Sequence, residues 1–402
     1  MPHGDISIPG RAIAPGISLA MMAVLASGCG LIAAGSYFAQ PLTAVIGRDV
    51  GLPPTIAGLI VTVGQLGYVL GLLLVAPLGD LVENRRLLLG TLAASALSLT
   101  LAALAPDGVL FLIACFCIGI SSIAVQMLVT LGAVMSAPAR RGLVIGSLTG
   151  GLLVGILLAW PVASFTAGHW GWRVPFGGAA AAMVTLAAVL SRATPRRWPA
   201  SGPKYGALVL SLGALLRTTP ELRGRAAMQA FLFGGFSLFW TAAPIELVRH
   251  YALGANTIAL FGLIGGTGAL IAPLAGRLAD AGRGRIVSLV GVIAVITAFV
   301  VAAFASRVWM LAGAAFLLNA GVQANHVISQ RAVLSMRPEA GSRLNSLYIA
   351  IFFLGGAAGS AIAAPLALTG WSHLGLVGAV LGLMALLLWT EAGSSASLPP
   401  NA

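Results

Sequence analysis

Charged residues are scarce in this sequence, and that scarcity excludes most classes of protein. Only 8% of the 402 residues are Asp, Glu, Lys or Arg, whereas a soluble domain carries about 25%. Hydrophobic residues make up 59% of the chain and the mean hydropathy is +1.00. A membrane-spanning helix needs about 20 mostly apolar residues, and such runs recur from end to end. The composition therefore predicts an all-α protein embedded in a lipid bilayer.

Acidic side chains and cysteines are especially few. None of the ten Asp and Glu residues lies deep within an apolar run, and Glu246, beside Pro244, comes nearest. Cys29, Cys115 and Cys117 lie inside apolar runs without metal-ligand partners nearby, so we expect them to serve packing. An enzyme within the membrane would need paired carboxylates or a nucleophile with its base, and neither is evident. We expect no enzymatic activity and no cofactor.

The apolar runs predict twelve spans, which form two six-span bundles. The first bundle covers residues 1–191, the second covers 226–402, and a basic, proline-containing linker covers 192–225. Within the linker, Tyr205–Leu216 is apolar on one side, which fits either a helix along the membrane surface or a plain loop. The predicted spans are 17–38, 55–76, 87–105, 109–135, 143–165, 172–191, 226–249, 256–276, 286–305, 308–334, 343–367 and 372–390.

The basic residues lie in the turns and predict the orientation. With the N-terminus in the cytoplasm, eighteen of the 22 Lys and Arg residues fall on the cytoplasmic side, so both termini are expected there. The net charge of +12 then forms no continuous basic face, and we expect no nucleic-acid partner. Residues 1–34 could also be a cleaved secretory signal, but the apolar run is long for one and the twelve-span count needs it.

Several landmarks recur about 200 positions apart, which indicates a duplicated unit. The repeated pairs are Asp80 and Asp280, Arg85 and Arg285, Pro138 and Pro338, and Gly171-Trp172 and Gly370-Trp371.

Hydrogen-bonding side chains are distributed unevenly among the spans. The third, sixth, ninth and twelfth lack Asn, Gln, His, Tyr, Asp and Glu in their apolar stretches. Such groups cost several kcal/mol each in hydrocarbon unless they are paired or wetted, so these four spans should face lipid while others line a polar route. The candidate substrate-pathway residues are Tyr37, Gln40, Gln65, Tyr68, Gln126, Phe236, Trp240, Asn319, Gln323, His326, Asn345 and Tyr348.

The tenth span gives the clearest pattern. Asn319, Gln323, His326 and Gln330 are four, three and four positions apart, which places them on one stripe of a helix. A lone membrane Gln is also commonly a contact between helices, and the Phe236–Trp240 pair also fits core packing. His326 fits either a proton carrier or a neutral, hydrogen-bonded structural histidine.

Clustered glycines predict close contacts between helices. They are Gly150-Gly151 with Gly155, and Gly355-Gly356 with Gly359.

The two halves, the basic linker and the repeated Gly/Asp/Arg turn resemble the major facilitator superfamily. The turn is a variant, because Asn84 and Gly284 occupy the usual Arg position and the Arg follows one residue later. Within that family, Tyr37 through Leu42 and Gln65 through Tyr68 resemble the drug:proton antiporter and sugar-efflux branch of bacterial exporters.

The resemblance implies alternating access to a site between the halves. It also implies a cytoplasmic latch, with the alternative that these turns only signal orientation and form surface ion pairs. The latch residues are Gly79, Asp80, Arg85, Arg86, Asp280, Arg283 and Arg285.

Proton coupling is the part of the resemblance that the residues support least. Family antiporters usually carry a membrane-embedded carboxylate or Arg, and the usual span-four Arg aligns with Cys115. The candidate coupling residues are His326, then Glu246 and Asp80, and a uniporter stays open.

The expected activity is efflux of a small drug-like or sugar-like compound across a bacterial inner membrane by a monomer. The runner-up is uptake of a sugar or another small metabolite. A channel or receptor is disfavoured, since neither needs duplicated latches on one face.

Overall fold

The computed structural model describes residues 17–137, 140–196, 198, 204–337 and 340–394. Arg11, Arg197, Pro138 and Pro338 lie outside the described residues. Within them the chain is all-helical, with twelve helices long and apolar enough to cross a membrane. In order, spans 1 to 12 are Leu19–Asp49, Pro54–Asp80, Asn84–Leu104, Gly108–Met135, Arg141–Trp170, Arg173–Ala193, Pro220–Arg249, Asn256–Asp280, Gly284–Ala303, Val308–Met336, Gly341–Thr369 and Trp371–Thr390.

Spans 1 to 6 form the N-half and spans 7 to 12 form the C-half. One buried apolar cluster lies within the N-half, around residues such as Leu92 and Phe111. A second is centred on Phe239 and Phe299 of the C-half and extends across to Val69, Leu72, Ile123 and Trp160 of the N-half. We call the end of the bundle with the linker and the turn at Arg85 and Arg86 the basic end, and the other end the opposite end.

The repeated Gly-Trp pair has a conformational reason. Gly171 and Gly370 follow the last residues of spans 5 and 11 with φ of 94° and 128°, values that only glycine adopts without strain. Each glycine therefore ends one long helix and allows the next helix to turn back beside it. Duplicated turn chemistry thus produces the same helix reversal in both halves.

Four spans are interrupted rather than straight. Span 1 is a helix at Leu19–Tyr37, followed by a 3-10 turn at Gln40–Leu42 and a short helix at Thr43–Asp49. Span 4 divides into Gly108–Ser121 and Ala124–Met135. Span 8 divides into Ala255–Gly266, Thr267–Ile271 and Ala272–Asp280. Span 2 widens into a π-helical turn at Gly71–Val75. The breaks in spans 4 and 8 lie near the middle of each span, and the π-helical turn of span 2 lies nearer the basic end. At each break the regular helical hydrogen-bond pattern is interrupted.

The clustered glycines do form close helix contacts. A Cβ added to Gly155 would overlap the Gly30 carbonyl on span 1, and one added to Gly359 would overlap the Gly234 carbonyl on span 7. Spans 1 and 5 therefore pack as spans 7 and 11 do, and both contacts depend on a missing side chain. Gly150 does not take part, because a Cβ added there would meet nothing within 4 Å.

Spans 3, 6, 9 and 12 lie at the sides of the bundle, since their main contacts are within their own halves. Span 3 packs on spans 4 and 6, and span 9 packs on spans 10 and 12. That these four spans face lipid stays a prediction, and burial within the chain does not set them apart from the other spans. Only 22% of the most apolar part of span 5 is buried, against 50% for span 3. Span 5 packs on span 1 through the glycines Gly151 and Gly155, which leaves much of its circumference exposed.

The linker contains a helix at Tyr205–Thr218, so the helical alternative for this segment holds. Its buried face contains Leu208 and Leu212. The Tyr205 hydroxyl donates to the Leu74 carbonyl in the π-helical turn of span 2, at 2.9 Å, and thereby ties the linker helix to the N-half.

Candidate substrate route between the two halves

The halves meet along spans 2 and 11. Near the opposite end, Gly58 lies directly against the Ser360 carbonyl. One turn further, the hydroxyls of Thr62 and Ser360 are 2.9 Å apart, and the Gln65 Nε2 donates to the Ser237 hydroxyl on span 7 at 2.9 Å. Gln65 is therefore buried within the interface between the halves, and does not point into lipid.

A second line of contact runs along spans 5 and 8 and includes the end of span 7. The indole rings of Trp160 and Trp240 meet edge to face with centroids 4.5 Å apart. Gly262 of span 8 packs on the Trp160 ring, and Gly266 packs on the Leu157 side chain. The two tryptophans belong to different halves, so this contact must break if the halves separate here.

A cavity of about 40 Å³ lies beside this second line of contact, and Trp160, Trp240 and Gly262 are among its lining residues. Organic ligands occupy cavities of about 300–1,000 Å³, so the halves must move apart before such a molecule enters. Five of the predicted pathway residues line it. They are Tyr37, Gln40, Phe236, Trp240 and Asn319.

A buried hydrogen-bond donor beside the cavity has no partner in the part of the chain that the structure describes. The Trp240 indole nitrogen is buried and has no hydrogen-bond partner among the described residues. Leaving such a group unpaired costs about 1–3 kcal/mol. The Trp160 indole N–H donates to the Gln40 carbonyl oxygen at a long 3.5 Å, and the Asn319 amide donates to the Ala315 carbonyl at 3.2 Å. The Trp240 N–H is therefore a candidate donor to an acceptor atom on a molecule that enters once the halves separate.

Aromatic rings continue from the cavity along the interface. Phe236 stacks on Phe233 with centroids 5.2 Å apart, and Phe233 contacts Phe353 at 4.9 Å. Phe353 in turn meets Tyr68 of the N-half at 4.6 Å. This row of rings joins the cavity to the polar residues nearer the basic end, and the sequence pattern identifies only the Phe236–Trp240 pair.

The remaining predicted pathway residues form separate polar pairs. The His326 Nδ1 lies 3.2 Å from the Tyr348 hydroxyl, and Tyr348 is fully buried against span 10. The other pairs are Gln126 with Tyr68 at 3.5 Å and Gln330 with Asn345 at 3.0 Å, while Gln323 is half-buried. The stripe on span 10 is thus real as a helix face, but only Asn319 reaches the cavity.

Two functional features escape the sequence pattern. Trp160 is absent from the predicted pathway residues, although it lies between the halves and lines the cavity. Asn325 lies off the stripe and belongs to a hydrogen-bond network inside the C-half. Its Nδ2 donates to the Gln229 Oε1 at 2.7 Å, and its Oδ1 accepts from the Ser288 hydroxyl at 2.5 Å. The sequence feature that could have identified Trp160 is its position directly before Pro161 in a glycine-rich span.

The latch residues make contacts within their own halves. Asp280 pairs with Arg331 of span 10, which also donates to the Gly276 carbonyl at 2.8 Å. Its partner is therefore not one of the neighbouring arginines Arg283 and Arg285.

The N-half turn is arranged differently. Arg86 pairs with the buried Glu83 at 3.4 Å, and Asp80 is exposed with no ion pair among the described residues. The position that corresponds to Arg331 is Leu131, so the two turns are not equivalent.

Glu246, the second proton-coupling candidate, lies near the end of span 7. It is half-buried, and its backbone carbonyl accepts the His250 amide at 2.9 Å. This places it at the opposite end, whereas His326 lies nearer the basic end.

Two six-span halves that enclose a small cavity with donors and aromatic walls define a membrane transport protein. The family description Major Facilitator Superfamily matches residues 25–272 and 225–401 of the chain. The chain belongs to the major facilitator superfamily, and it is a transporter of small molecules rather than an enzyme.

The relatives are transporters of bacteria. The uncharacterized transporter YgaY of Escherichia coli O157:H7 is 34% identical over 376 residues, which are 93% of this chain and 95% of that one. The probable transporter SCO4007 of Streptomyces coelicolor is 33% identical over 374 residues, which are 89% of this chain and 83% of that one.

Solved structures share the fold at low identity. A bacterial homologue of the human lysosomal transporter Spinster, inward-facing and unoccupied, has a TM-score of 0.70 at 14% identity and covers 93% of this chain and 96% of its own. The nucleoside transporter NupG has a TM-score of 0.69 at 12% identity and covers 94% of this chain and 99% of its own. These likenesses support the fold alone.

Proposed function

We propose that this transporter exports an uncharged, drug-like organic molecule with an aromatic surface and at least one acceptor atom. The observation that carries the proposal is the buried, unpartnered Trp240 indole N–H beside the cavity between the halves. Rings of Trp160, Phe236 and Tyr37 supply flat apolar walls, and no charged residue lines the cavity within the described part of the chain. A strongly charged metabolite would lack a counter-charge there.

A sugar-like cargo, moved outward or taken up, is the second candidate. Its support is the pair of amides, Gln40 and Asn319, on opposite sides of the cavity. Sugars bring several hydroxyls that need partners, whereas this cavity offers few polar groups and large apolar rings. The aromatic cargo therefore fits better.

The placement that goes with this function is a bacterial inner membrane, with the basic end in the cytoplasm and a monomer as the working unit. The clustering of arginines at one end supports this orientation. Transport then requires the contacts of spans 2 with 11 and of spans 5 with 8 to open and close in turn.

The repeated turns act in this proposal as a latch at the cytoplasmic mouth. The support is that the turn recurs at corresponding places in both halves, and in this state the Asp280–Arg331 pair fixes the end of span 8 to span 10 inside the C-half. An exposed ion pair stabilises by at most about 1 kcal/mol, so its role would be to hold geometry rather than to supply stability. The linker helix, tied to span 2 through Tyr205 and Leu74, adds a second restraint at the same mouth.

Trp240→Phe tests the site, because it keeps an aromatic ring and removes only the indole N–H. Ligands found by a thermal-shift screen of the purified protein should bind about tenfold more weakly to this variant, as expected for the loss of a hydrogen bond in a dry site. Binding is measured by titration of the melting temperature, followed by flux in proteoliposomes.

The matched control is Trp309→Phe, since Trp309 is 68% exposed and outside the cavity. Wild-type affinity in both variants would show that Trp240 donates no bond to the cargo, and the site assignment would fail.

Proton coupling is proposed through His326, with Glu246 and Asp80 as the other candidates. His326 is supported by its contact with Tyr348, which gives the ring a partner that can donate or accept. His326→Ala should abolish flux driven by a pH gradient while substrate exchange without a gradient continues. Both are measured in proteoliposomes.

Tyr348→Phe is the companion variant, and it should weaken gradient-driven flux less because the ring nitrogen remains. Unchanged gradient-driven flux in His326→Ala would exclude this histidine. Flux that ignores the gradient in the wild type would identify a uniporter.

A further inference from the structure

A groove on the outside of the N-half is larger than the cavity between the halves. Its volume is about 560 Å³, and spans 2, 3 and 4 form its walls. It does not involve the interface between the halves. Its lining includes Leu97, which is 73% exposed on the peripheral span 3, so the groove opens towards the surrounding lipid.

The walls of this groove offer almost no hydrogen-bond donors. Thr91 donates to the Leu87 carbonyl at 2.7 Å, and Ser98 donates to the Ala94 carbonyl, also at 2.7 Å. Since these hydroxyls are used within their own helix, the walls are effectively apolar. An occupant must therefore present an apolar surface along the groove.

The end of the groove is chemically different. Arg86 lines it at the basic end with a side chain that is 71% exposed. Its Nε pairs with buried Glu83 at 3.4 Å, and its two terminal nitrogens have no partner among the described residues. The guanidinium also lies over the ring of Trp198, 5.6 Å from the centroid. An exposed arginine beside an exposed tryptophan is typical of the headgroup level of a membrane.

The length of the groove matches one leaflet. From Arg86 to Ser98, both of which line it, the helix rises about 18 Å. Half of the hydrocarbon core of a bilayer is about 15 Å thick. A chain whose polar end is held at Arg86 would reach the middle of the membrane.

We propose that this groove binds one anionic phospholipid from the leaflet at the basic end. The phosphate contacts the free nitrogens of Arg86 beside Trp198, and one acyl chain lies between spans 3 and 4. The groove is lined by Val75, which precedes the repeated turn of the N-half, and by Val82, which lies within that turn. The bound lipid therefore contacts this turn. This proposal does not depend on the identity of the transported molecule.

The test uses the purified full chain in nanodiscs with a trace of phosphatidylglycerol that carries a diazirine near the end of one acyl chain. After illumination, peptides are mapped by mass spectrometry. Cross-links are expected on Leu97, Ser98 and Cys117, the deep wall residues. Unlabelled phosphatidylglycerol should compete about fivefold better than phosphatidylcholine, the preference that one arginine near a membrane surface gives.

Three variants separate a specific site from ordinary lipid contact. Gly90→Trp fills the groove, because Gly90 lines it and a Cβ added there would meet nothing within 4 Å, and it should remove the cross-links on the deep wall. Gly146→Trp on span 5 has the same open surroundings and should leave them unchanged. Arg86→Gln removes the positive charge but keeps a hydrogen-bond donor beside the buried Glu83, and it should abolish the fivefold preference.

Three results would overturn the proposal. They are equal cross-linking of Leu97 in Gly90→Trp and wild type, equal competition by the two lipids in wild type, and displacement of the probe by a transported compound but not by phosphatidylglycerol. The first two describe ordinary surrounding lipid, and the third describes an entry path for the cargo.

Discussion

Gly155→Val is expected to prevent the N-half from assembling. Its side chain would occupy the position of the Gly30 carbonyl, and backbone on span 1 cannot move aside as a flexible side chain can. Overpacking of this kind costs about 1–3 kcal/mol and sometimes more. Against backbone we expect at least the upper value. The measurement is the yield of monodisperse protein in size-exclusion chromatography and its melting temperature.

Gly150→Val is the matched control, because it lies on the same helix and a Cβ added there would meet nothing within 4 Å. It should yield protein with a melting temperature near that of the wild type. Gly359→Val should repeat the defect in the C-half, where the facing backbone is Gly234. Normal yield of Gly155→Val would show that spans 1 and 5 are not in contact as described.

Gly58→Ala should slow transport at least tenfold while leaving both halves folded. The added Cβ would overlap the Ser360 carbonyl, which belongs to the other half, so only the contact between halves is affected. If closure at the opposite end costs about 2 kcal/mol more, the closed state becomes roughly thirtyfold rarer. Flux in proteoliposomes should fall by at least tenfold.

Cysteine accessibility identifies the state that accumulates in this variant. In a background without Cys29, Cys115 and Cys117, Gln40→Cys places a thiol at the cavity. A water-soluble maleimide added at the opposite end should label it faster when Gly58→Ala is also present.

The control for this prediction is Gly64→Ala on the same helix. Its Cβ would meet the Cys115 carbonyl at 3.6 Å, an ordinary contact within the N-half. Transport and labelling near wild-type values are expected. If Gly58→Ala behaves like Gly64→Ala, closure between spans 2 and 11 is not required for transport.

The sequence was sufficient for the helices, the duplication and the family. Long apolar runs leave a chain in lipid only one way to satisfy its backbone groups, so twelve helices follow from hydropathy. Gly171 and Gly370 could also be located in advance, because a helix reversal needs a residue that tolerates positive φ. The glycine clusters identified the helix contacts for a similar reason, apart from Gly150.

The site was less predictable from the sequence. Helix periodicity shows which residues share one face of a helix, but it does not show which other helix that face contacts. Asn319, His326 and Gln330 share one stripe, yet Asn319 meets the cavity and the other two bond span 11. Asn325 is adjacent to His326 in sequence but bonds within the C-half.

By itself, the sequence determined that the chain crosses a membrane twelve times as two related halves. Whether a segment spans the membrane depends on the apolar composition along that one helix, which the sequence gives directly. The tertiary structure decided which side chains meet across the halves, such as Trp160 with Trp240 and Gln65 with Ser237. Those contacts join residues from 80 to 172 positions apart. They depend on how two bundles dock, and no local pattern in either bundle encodes the rotation of one against the other.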